Sequence, residues 1–266
     1  MALYSKTLTQ LRHELAKLVD DYVVGTSDTN SSTTSIVDTE LGMYVADHFN
    51  GFEVCGYGLT GAPVSTVTDF AVAAGVGTLT LVPAMTGMTS AKTYELHDPG
   101  KRWSKAQYDA AINMAINNLS QVILLDKIDE TLDLVASTFE YSLPTGFVSV
   151  SAVYMETSTA NKWEADQIPH RLWKLVNKAT PIISFDTRDW APTAGRGLRL
   201  IGQGRQAELS AESDTCTLPT HVVLTLAHAY LLRTKEKYGE AQAIQVAAER
   251  EAFAYRMTPY GRMVNV

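Results

Sequence analysis

The residues that could do chemistry are scattered along this chain, and they form no recognisable catalytic or metal-binding set. The six histidines include one pair at helical spacing, His221 and His228, but no carboxylate or third ligand stands where a metalloenzyme helix needs it. Adjacent acids such as Asp20 and Asp21 could serve in acid–base catalysis only at a separation that a sequence does not reveal. We therefore predict no catalytic residue, no metal site and no cofactor, and we interpret the protein as a non-enzyme.

One segment, GYGLTG at 56–61, matches the GxGxxG pattern of dinucleotide-binding proteins. In those proteins the glycines open a helix whose N-terminal amides bind the pyrophosphate, and an acid follows about 20 residues later. Here Ala62 and Pro63 lead instead into VSTVTDF, which is typical of a strand. We interpret the segment as a glycine-rich hairpin.

Composition places the 266 residues among globular proteins, because 45% are hydrophobic and 19% are charged. The net charge of −7 argues against a general nucleic-acid-binding surface. Two cysteines, Cys55 and Cys216, indicate free thiols rather than a disulfide framework. An amphipathic start predicts no signal peptide, and the uncharged window at 70–91 is too rich in glycine, proline and threonine to predict a membrane span.

Apolar residues at three- and four-residue steps predict three main helices. The first runs from about Ser5 to Val24 and stops at Gly25. The second, over 104–126, begins with the capping pattern Ser104-x-x-Gln107. The third covers 218–256, and Gly239 caps or bends it.

Between these helices lie two regions rich in β-branched and aromatic residues with glycine and proline punctuation. The predicted fold class is therefore α+β, a small helical bundle core with two β-rich insertions. Its parts are the helical core at 1–24, 104–126 and 218–256, the β-rich insertion at 25–103, the second β-rich region at 132–215, and a C-terminal tail at 257–266.

The negative charge is concentrated near the start of the chain. Residues 1–100 contain 4 basic and 11 acidic side chains, whereas the rest of the chain is balanced. Since the first predicted helix is neutral, the excess acid belongs to residues 22–100.

The organisation resembles the head-to-tail adaptor (neck or connector) proteins of tailed bacteriophages. The similarity is carried by several stretches in order, none of them a catalytic signature. They are KTLTQLRHELAKLV, SSTTSIVDTEL, GTLTLVPAM, YELHDPGKRWSKAQYDAAINMAINNL, EYSLPTGF and LPTHVVLTLAHAYLLRTKEKYG.

This resemblance implies a structural virion protein of the neck. Such a protein docks on the portal protein as a ring of copies, usually a dodecamer, extends the DNA channel and provides the platform for tail or nozzle proteins. It implies that genomic double-stranded DNA passes through without specific binding, that no membrane is involved, and that assembly takes place in the host cytoplasm.

Two sets of residues are expected to carry this function. Asp28, Asp38 and Glu40 are candidates for lining the channel, where like charge would repel passing DNA; an acidic outer surface that keeps the ring soluble is the alternative. The resemblance makes Arg256, Tyr260 and Arg262 candidate portal contacts, since tyrosine and arginine are favoured at interface hot spots. A frayed C-terminus is the alternative to the second set.

Two other classes of protein remain open at this point. A carbohydrate- or receptor-binding virion protein built on the β regions would present an exposed row of tryptophans on one face. A glycan hydrolase would bring two carboxyls to catalytic separation in a cleft.

Overall fold

The computed structural model describes residues 5–21, 23–57, 59, 62–160 and 162–257. These residues form fourteen strands and four α-helices. The strands are β1 (Lys6–Thr7), β2 (Val23–Thr26), β3 (Ser35–Asp38), β4 (Glu53–Cys55), β5 (Val64–Ala73), β6 (Val76–Val82), β7 (Thr93–His97), β8 (Leu125–Asp133), β9 (Glu140–Ser142), β10 (Phe147–Met155), β11 (Trp173–Val176), β12 (Ile182–Phe185), β13 (Gly197–Gly204) and β14 (Thr215–Cys216). The helices are α1 (Leu8–Leu18), α2 (Lys105–Leu119), α3 (Thr220–Thr234) and α4 (Tyr238–Met257).

The chain divides into two compact units. Unit 1 contains Met1–Leu119 and Glu208–Ala254, and unit 2 contains Ser120–Ala207 and Tyr255–Val266. Positions 258–266 lie outside the described residues. Because unit 1 is assembled from both ends of the chain, its two segments must be joined by contacts over long sequence separations.

Unit 1 is built on a six-stranded antiparallel sheet in the order β2-β7-β4-β5-β6-β3. The VSTVTDFAV segment predicts a strand by its apolar alternation, and in β5 Val67 and Phe70 point into the core while Asp69 stays exposed. Four phenylalanine and tyrosine side chains, Phe49, Phe52, Phe70 and Tyr94, fill the same core. Edge-to-face contacts of Phe49 with Phe52 and with Phe70 fix the packing, at ring distances of 5.2 and 4.9 Å.

The first three helices of unit 1 pack on one another. Helix α1 contacts α2 and α3, and α2 packs along α3. The capping pattern predicted at Ser104 is confirmed, because Gln107 N lies 3.3 Å from Ser104 Oγ and Ser104 N lies 2.9 Å from Gln107 Oε1. Strands β1 and β14 pair and bring the start of α1 to the segment that precedes α3.

Unit 2 contains two three-stranded antiparallel sheets, in the orders β10-β13-β8 and β11-β12-β9. The strand-like runs FVSVSAVYM, RLWKLV, PIISFDT and GLRLIG all contribute strands to these sheets, as the sequence predicts. Their shared core includes Val153, Ile183, Leu198 and Leu200, which are fully buried. Unit 2 is therefore stabilised by an apolar core of its own.

The predicted helical bundle core with three main helices is wrong. The described chain is mostly β, with four sheets and four helices, and the apolar core clusters of residues 36–96 and 134–200 belong to sheets. Long apolar stripes on the helices suggested a central bundle, but the strands between them bury aromatic and β-branched side chains in larger numbers. Each β region thus has an apolar core cluster of its own and is not a minor insertion into a helical bundle.

Three helix boundaries also differ from prediction. The first helix ends at Leu18, since Val23 and Val24 pair with β7 and tertiary pairing overrides their helical spacing. The second ends at Leu119, and residues from Leu125 onward form β8, paired with β13. The third is two helices, broken before Gly239 where Glu236 adopts a positive φ of 61°.

Candidate assembly surfaces and a buried charge network

A buried arginine, Arg12, is at the centre of a charge network in unit 1, and its side chain on α1 is 0% exposed. Its Nε lies 2.6 Å from Glu95 Oε1 in β7, and its Nη1 lies 2.7 Å from Asp109 Oδ1 in α2. Its Nη2 lies 2.7 Å from Glu212 Oε2 in the segment before β14. One guanidinium therefore joins four segments that are up to 200 residues apart in sequence.

Lys105 completes this charge network from the first turn of α2. Its Nζ lies 2.8 Å from Asp109 Oδ2 and 2.9 Å from Glu212 Oε1. Burial disfavours the charged guanidinium and ammonium groups, but the carboxylates around them outweigh that cost, so the pKa values of Arg12 and Lys105 are raised. Both cations stay charged inside the unit.

Glu95 is the most deeply buried acid of the charge network, at 1% exposure. Besides Arg12, Glu95 contacts two histidines. Its Oε2 lies 2.6 Å from His13 Nε2, and its Oε1 lies 3.4 Å from His97 Nε2. Burial alone would raise the pKa of Glu95, yet these contacts lower it well below its ordinary value. The same balance lowers the pKa of Glu212, where contacts with Arg12, Thr9 and Lys105 outweigh burial.

Sequence reasoning missed the charge network because its members are scattered. One signal was available: Arg12 lies within the apolar stripe of α1, four residues after Leu8 and three before Leu15, all three buried. A cation on the buried side of a helix needs an anionic partner. The sequence does not say which of its many acids fulfils that need.

The acids predicted to line the channel lie together at the end of β3. Asp28 Oδ2 accepts a hydrogen bond from Thr39 N at 2.9 Å, and Asp38 Oδ1 accepts one from Glu40 N at 2.8 Å. Asp38 is 2% exposed and its Oδ2 accepts a bond from Tyr94 Oη at 2.7 Å. Asp28 is half-buried and Glu40 is exposed, so these two carry the accessible charge of the group.

The residues predicted to contact the portal lie at the end of the chain. Arg256 is in the last turn of α4, although its side chain is not among those described. Tyr260 and Arg262 lie outside the described residues.

The glycine-rich segment connects two paired strands, since β4 and β5 are antiparallel neighbours with Cys55 opposite Val64. This confirms the hairpin interpretation, although Gly58, Thr60 and Gly61 lie outside the described residues. Cys55 and Cys216 are both buried, and burial raises the pKa of the Cys216 thiol to about 11.

The two histidines at helical spacing, His221 and His228, have different surroundings. His221 Nε2 lies 2.7 Å from Glu251 Oε1 and links α3 to α4. His228 is half-buried, and burial lowers its pKa. Among the residues that the structure describes, no group of three or more His, Cys, Asp and Glu side chains could hold a metal ion.

None of the four tryptophans forms part of an exposed aromatic row. Trp103 and Trp173 are buried at 5% and 8% exposure, and Trp163 and Trp190 are half-buried. Trp163 lies under the Arg199 guanidinium at 4.7 Å, and Trp190 stacks on Phe185 at 4.1 Å. The feature that would favour sugar binding is therefore missing from these four residues.

Two exposed surfaces of unit 1 are poor in charge. A groove of about 310 Å³ between α2 and α3, the α2–α3 groove, is lined by apolar and uncharged polar side chains together with one arginine. Its lining includes Gln107, Ala110, Met114, Tyr230, Arg233 and Thr234. The second surface is the α4 outer face, formed by Ala243, Val246, Ala247, Arg250 and Phe253, all exposed.

The α4 outer face lies opposite the buried side of the same helix. Ala241, Ala248 and Ala252 are at most 2% exposed, whereas Val246 and Phe253 are 39% and 51% exposed. At 100° per residue the two sets project from opposite sides of α4. Helix α4 is thus apolar on two faces.

Comparison with known proteins identifies a family. Residues 87–262 match the model of the SU10 adaptor protein family, a range that starts before β7 and extends beyond α4. Comparison with curated proteins gives no match. Within the described part of the chain, no helix combines the length and the apolar character needed to cross a membrane.

The match confirms the resemblance to phage head-to-tail adaptors that the sequence segments indicated. It covers more than half of the chain, including α2, α3, α4 and all the strands of unit 2. This protein therefore belongs to the SU10 adaptor protein family.

Proposed function

We propose that this chain is a head-to-tail adaptor that docks as a ring on the portal, extends the DNA channel and provides the attachment platform for tail components. The observation that carries the proposal is the family match over residues 87–262. An adaptor family also supports a structural rather than an enzymatic role. The protein then works in the virion neck after assembly in the host cytoplasm, with portal protein, tail or nozzle proteins and further copies of itself as partners.

Exposed apolar side chains support the proposal. Met43 and Val45 are 79% and 73% exposed beside the tip of the β5–β6 hairpin, and Phe253 on α4 is 51% exposed. Apolar side chains that are exposed next to one another are typical of surfaces that another protein covers, and Met43 and Val45 stand two residues apart in one segment. A ring adaptor has several such partners at once.

The first test is to measure the mass of the full chain alone and after mixing with the portal ring from the same genome. We expect a stable complex containing a fixed multiple of 29.1 kDa per portal ring, and that multiple gives the number of copies. Absence of binding to an intact portal would contradict the proposal.

A second test concerns the portal contact. Deleting residues 257–266 removes Tyr260 and Arg262 and should reduce portal binding at least about tenfold, since aromatic and arginine side chains dominate interface energetics. Changing Arg256→Ala alone separates its part from that of the tail. Full portal binding by the deletion variant would remove Tyr260 and Arg262 from the interface.

The channel role of the acidic group is tested by charge reversal in assembled particles. Because Asp38 is buried and bonded to Tyr94, the variants are Asp28→Lys and Glu40→Lys, which leave the core intact. Asp69→Lys, at an exposed position in β5, is the matched control. Slower DNA ejection with the first two variants and not with the control would support channel lining, whereas unchanged ejection would favour an acidic outer surface.

A further inference from the structure

A ring of identical copies needs two different surfaces on each chain that fit each other. Head-to-tail contacts of this kind close into a ring when the rotation between copies allows it. Unit 1 has two different exposed surfaces: the α4 outer face projects the aromatic side chain of Phe253, and the α2–α3 groove forms a cavity. Both belong to unit 1, so each copy carries both.

The α2–α3 groove has the chemistry of an interface core. Met114 in its lining is 54% exposed, and the exposed side chains of α2 along this side, Ala106, Gln107, Ala110, Met114 and Asn117, carry no charge. Charged residues are depleted at the centres of protein interfaces. In a chain of net charge −7, such a surface also allows two copies to approach without strong repulsion.

The α4 outer face carries an exposed aromatic side chain and one cation, whereas the groove is lined mainly by uncharged side chains. Phe253 is its one aromatic side chain, and Arg250 lies one turn before it. Beside the groove, Glu208 is exposed, and its Oε1 accepts a hydrogen bond from Asn117 Nδ2 at 2.5 Å. A cation on one surface thus has an anion beside the other.

We propose that the α4 outer face of one copy docks in the α2–α3 groove of the next copy, with Phe253 beside Met114 and Arg250 paired with Glu208. This rests on the proposed ring function and names the contact between neighbouring copies. A second copy fits better than the portal or a tail protein because both surfaces, and both members of the charge pair, are present on this chain.

The proposal is tested by disulfide formation between two variants of the full chain that each have one added cysteine, Phe253→Cys and Met114→Cys. Cys55 and Cys216 are buried and do not compete. On portal rings, we expect a disulfide-linked dimer when the two variants are mixed and none with either variant alone. The matched control is Met43→Cys, because Met43 lies elsewhere in unit 1 and is more exposed than Phe253, at 79% against 51%. This variant should give no dimer with Met114→Cys.

The possible outcomes of this experiment test the interface and the proposed function separately. If both variants bind the portal in the normal ratio but the mixture gives no dimer, the interface is wrong and the adaptor function stands; the α4 outer face is then available to the portal or a tail protein. If Phe253→Cys forms a dimer with itself, the contact is isologous and the proposal fails. If portal binding is absent, the adaptor function fails, and the same mixture at high concentration without portal decides the interface.

Charge reversal gives a second, independent test that does not depend on thiols. Arg250→Glu or Glu208→Arg should each weaken ring formation at least about tenfold, because like charges then meet at every contact. The two changes together in one chain should restore assembly, since every contact regains an opposite pair. Both positions are exposed, so folding is preserved and can be checked by circular dichroism. A double variant that assembles no better than either single variant overturns the pairing.

Discussion

The two units of this protein differ in where they hold their charges. In unit 1, Arg12 is 0% exposed and contacts three carboxylates, whereas in unit 2 the pair of Arg199 and Glu130, at 2.7 Å, is 34% and 42% exposed. A buried charge has lost its water and depends on a complete set of partners, while an exposed pair that breaks is solvated again. The buried charges of unit 1 therefore favour the one arrangement of its segments in which every charge has its partners. The stability of unit 2 depends mainly on apolar packing.

The largest effect is expected from Arg12→Ala. The change leaves Glu95, Asp109 and Glu212 with Lys105 as their remaining strong cation, so the free energy of unfolding of unit 1 should fall by about 3–5 kcal/mol. Denaturant unfolding followed by hydrogen exchange and mass spectrometry measures the two units separately. Glu130→Ala in unit 2 is the control, because it breaks the exposed pair with Arg199 and keeps the contact of Arg199 with Trp163, and it should cost less than about 1 kcal/mol. Equal losses from the two changes would contradict the contrast between the units.

Acid should weaken unit 1 through the same charge network. The pKa values of Glu95 and Glu212 in the folded protein lie below their ordinary value of 4.5, so over this interval the unfolded chain binds more protons. The stabilisation is present above about pH 4.5 and is lost as the pH falls toward the folded pKa values. Asp21, whose pKa burial raises, acts in the opposite direction but is a single group.

This pH dependence is measured as the free energy of unfolding of unit 1 between pH 6 and pH 3. Glu95→Gln lowers stability at every pH, but it should also flatten the slope below about pH 4.5, because one shifted group no longer titrates. An unchanged slope in this variant would exclude Glu95 as a source of the acid sensitivity.

A smaller contrast comes from two buried tyrosines. Tyr94 in unit 1 donates its hydroxyl hydrogen to the Asp38 carboxyl group at 2.7 Å, whereas Tyr141 in unit 2 bonds only to the backbone, donating to Thr138 O at 2.9 Å and accepting from Val135 N at 3.1 Å. Hydrogen bonds to charged groups contribute about 1.5–3 kcal/mol and neutral ones about 0.5–1.5 kcal/mol. Tyr94→Phe should therefore cost more than Tyr141→Phe in chemical denaturation, and the reverse order would be inconsistent with the proposed difference.

The smallest effect is expected at the exposed pair of unit 2. A double-mutant cycle on Arg199→Ala and Glu130→Ala should give a coupling free energy below about 1 kcal/mol, and 1 M salt should remove most of it. Coupling that is larger, or that survives salt, would show that unit 2 also relies on its charges.

Much of the local structure was predictable from the sequence. The strands β4, β5, β6 and β7 follow from alternation and β-branched residues, and the Ser104 capping pattern marks the start of α2. The hairpin at the glycine-rich segment followed from the strand on each side of it. These features depend on neighbours within a few residues, which is the range over which a sequence pattern carries information.

The candidate surfaces and the charge network were also predictable only in part. Periodicity places Phe253 and Val246 on one side of the last helix, and composition shows that residues 22–100 are acidic. The pairing of Arg12 with Glu95, Asp109 and Glu212 joins positions separated by 83, 97 and 200 residues, and no local pattern encodes it. The burial of Asp38 beside Tyr94 was equally invisible, because it depends on the pairing of β2 with β7 and of β3 with β6.

The sequence by itself determined the alternation of helical and β-rich regions, the location of the negative charge and the resemblance to phage adaptors. The tertiary structure decided that the cores of residues 36–96 and 134–200 are formed by sheets, that α1 ends early because Val23 and Val24 join a strand, and that α4 keeps an exposed apolar face. The physical reason is that side-chain periodicity reports which residues favour burial, whereas the partner that buries them is set by contacts between distant parts of the chain.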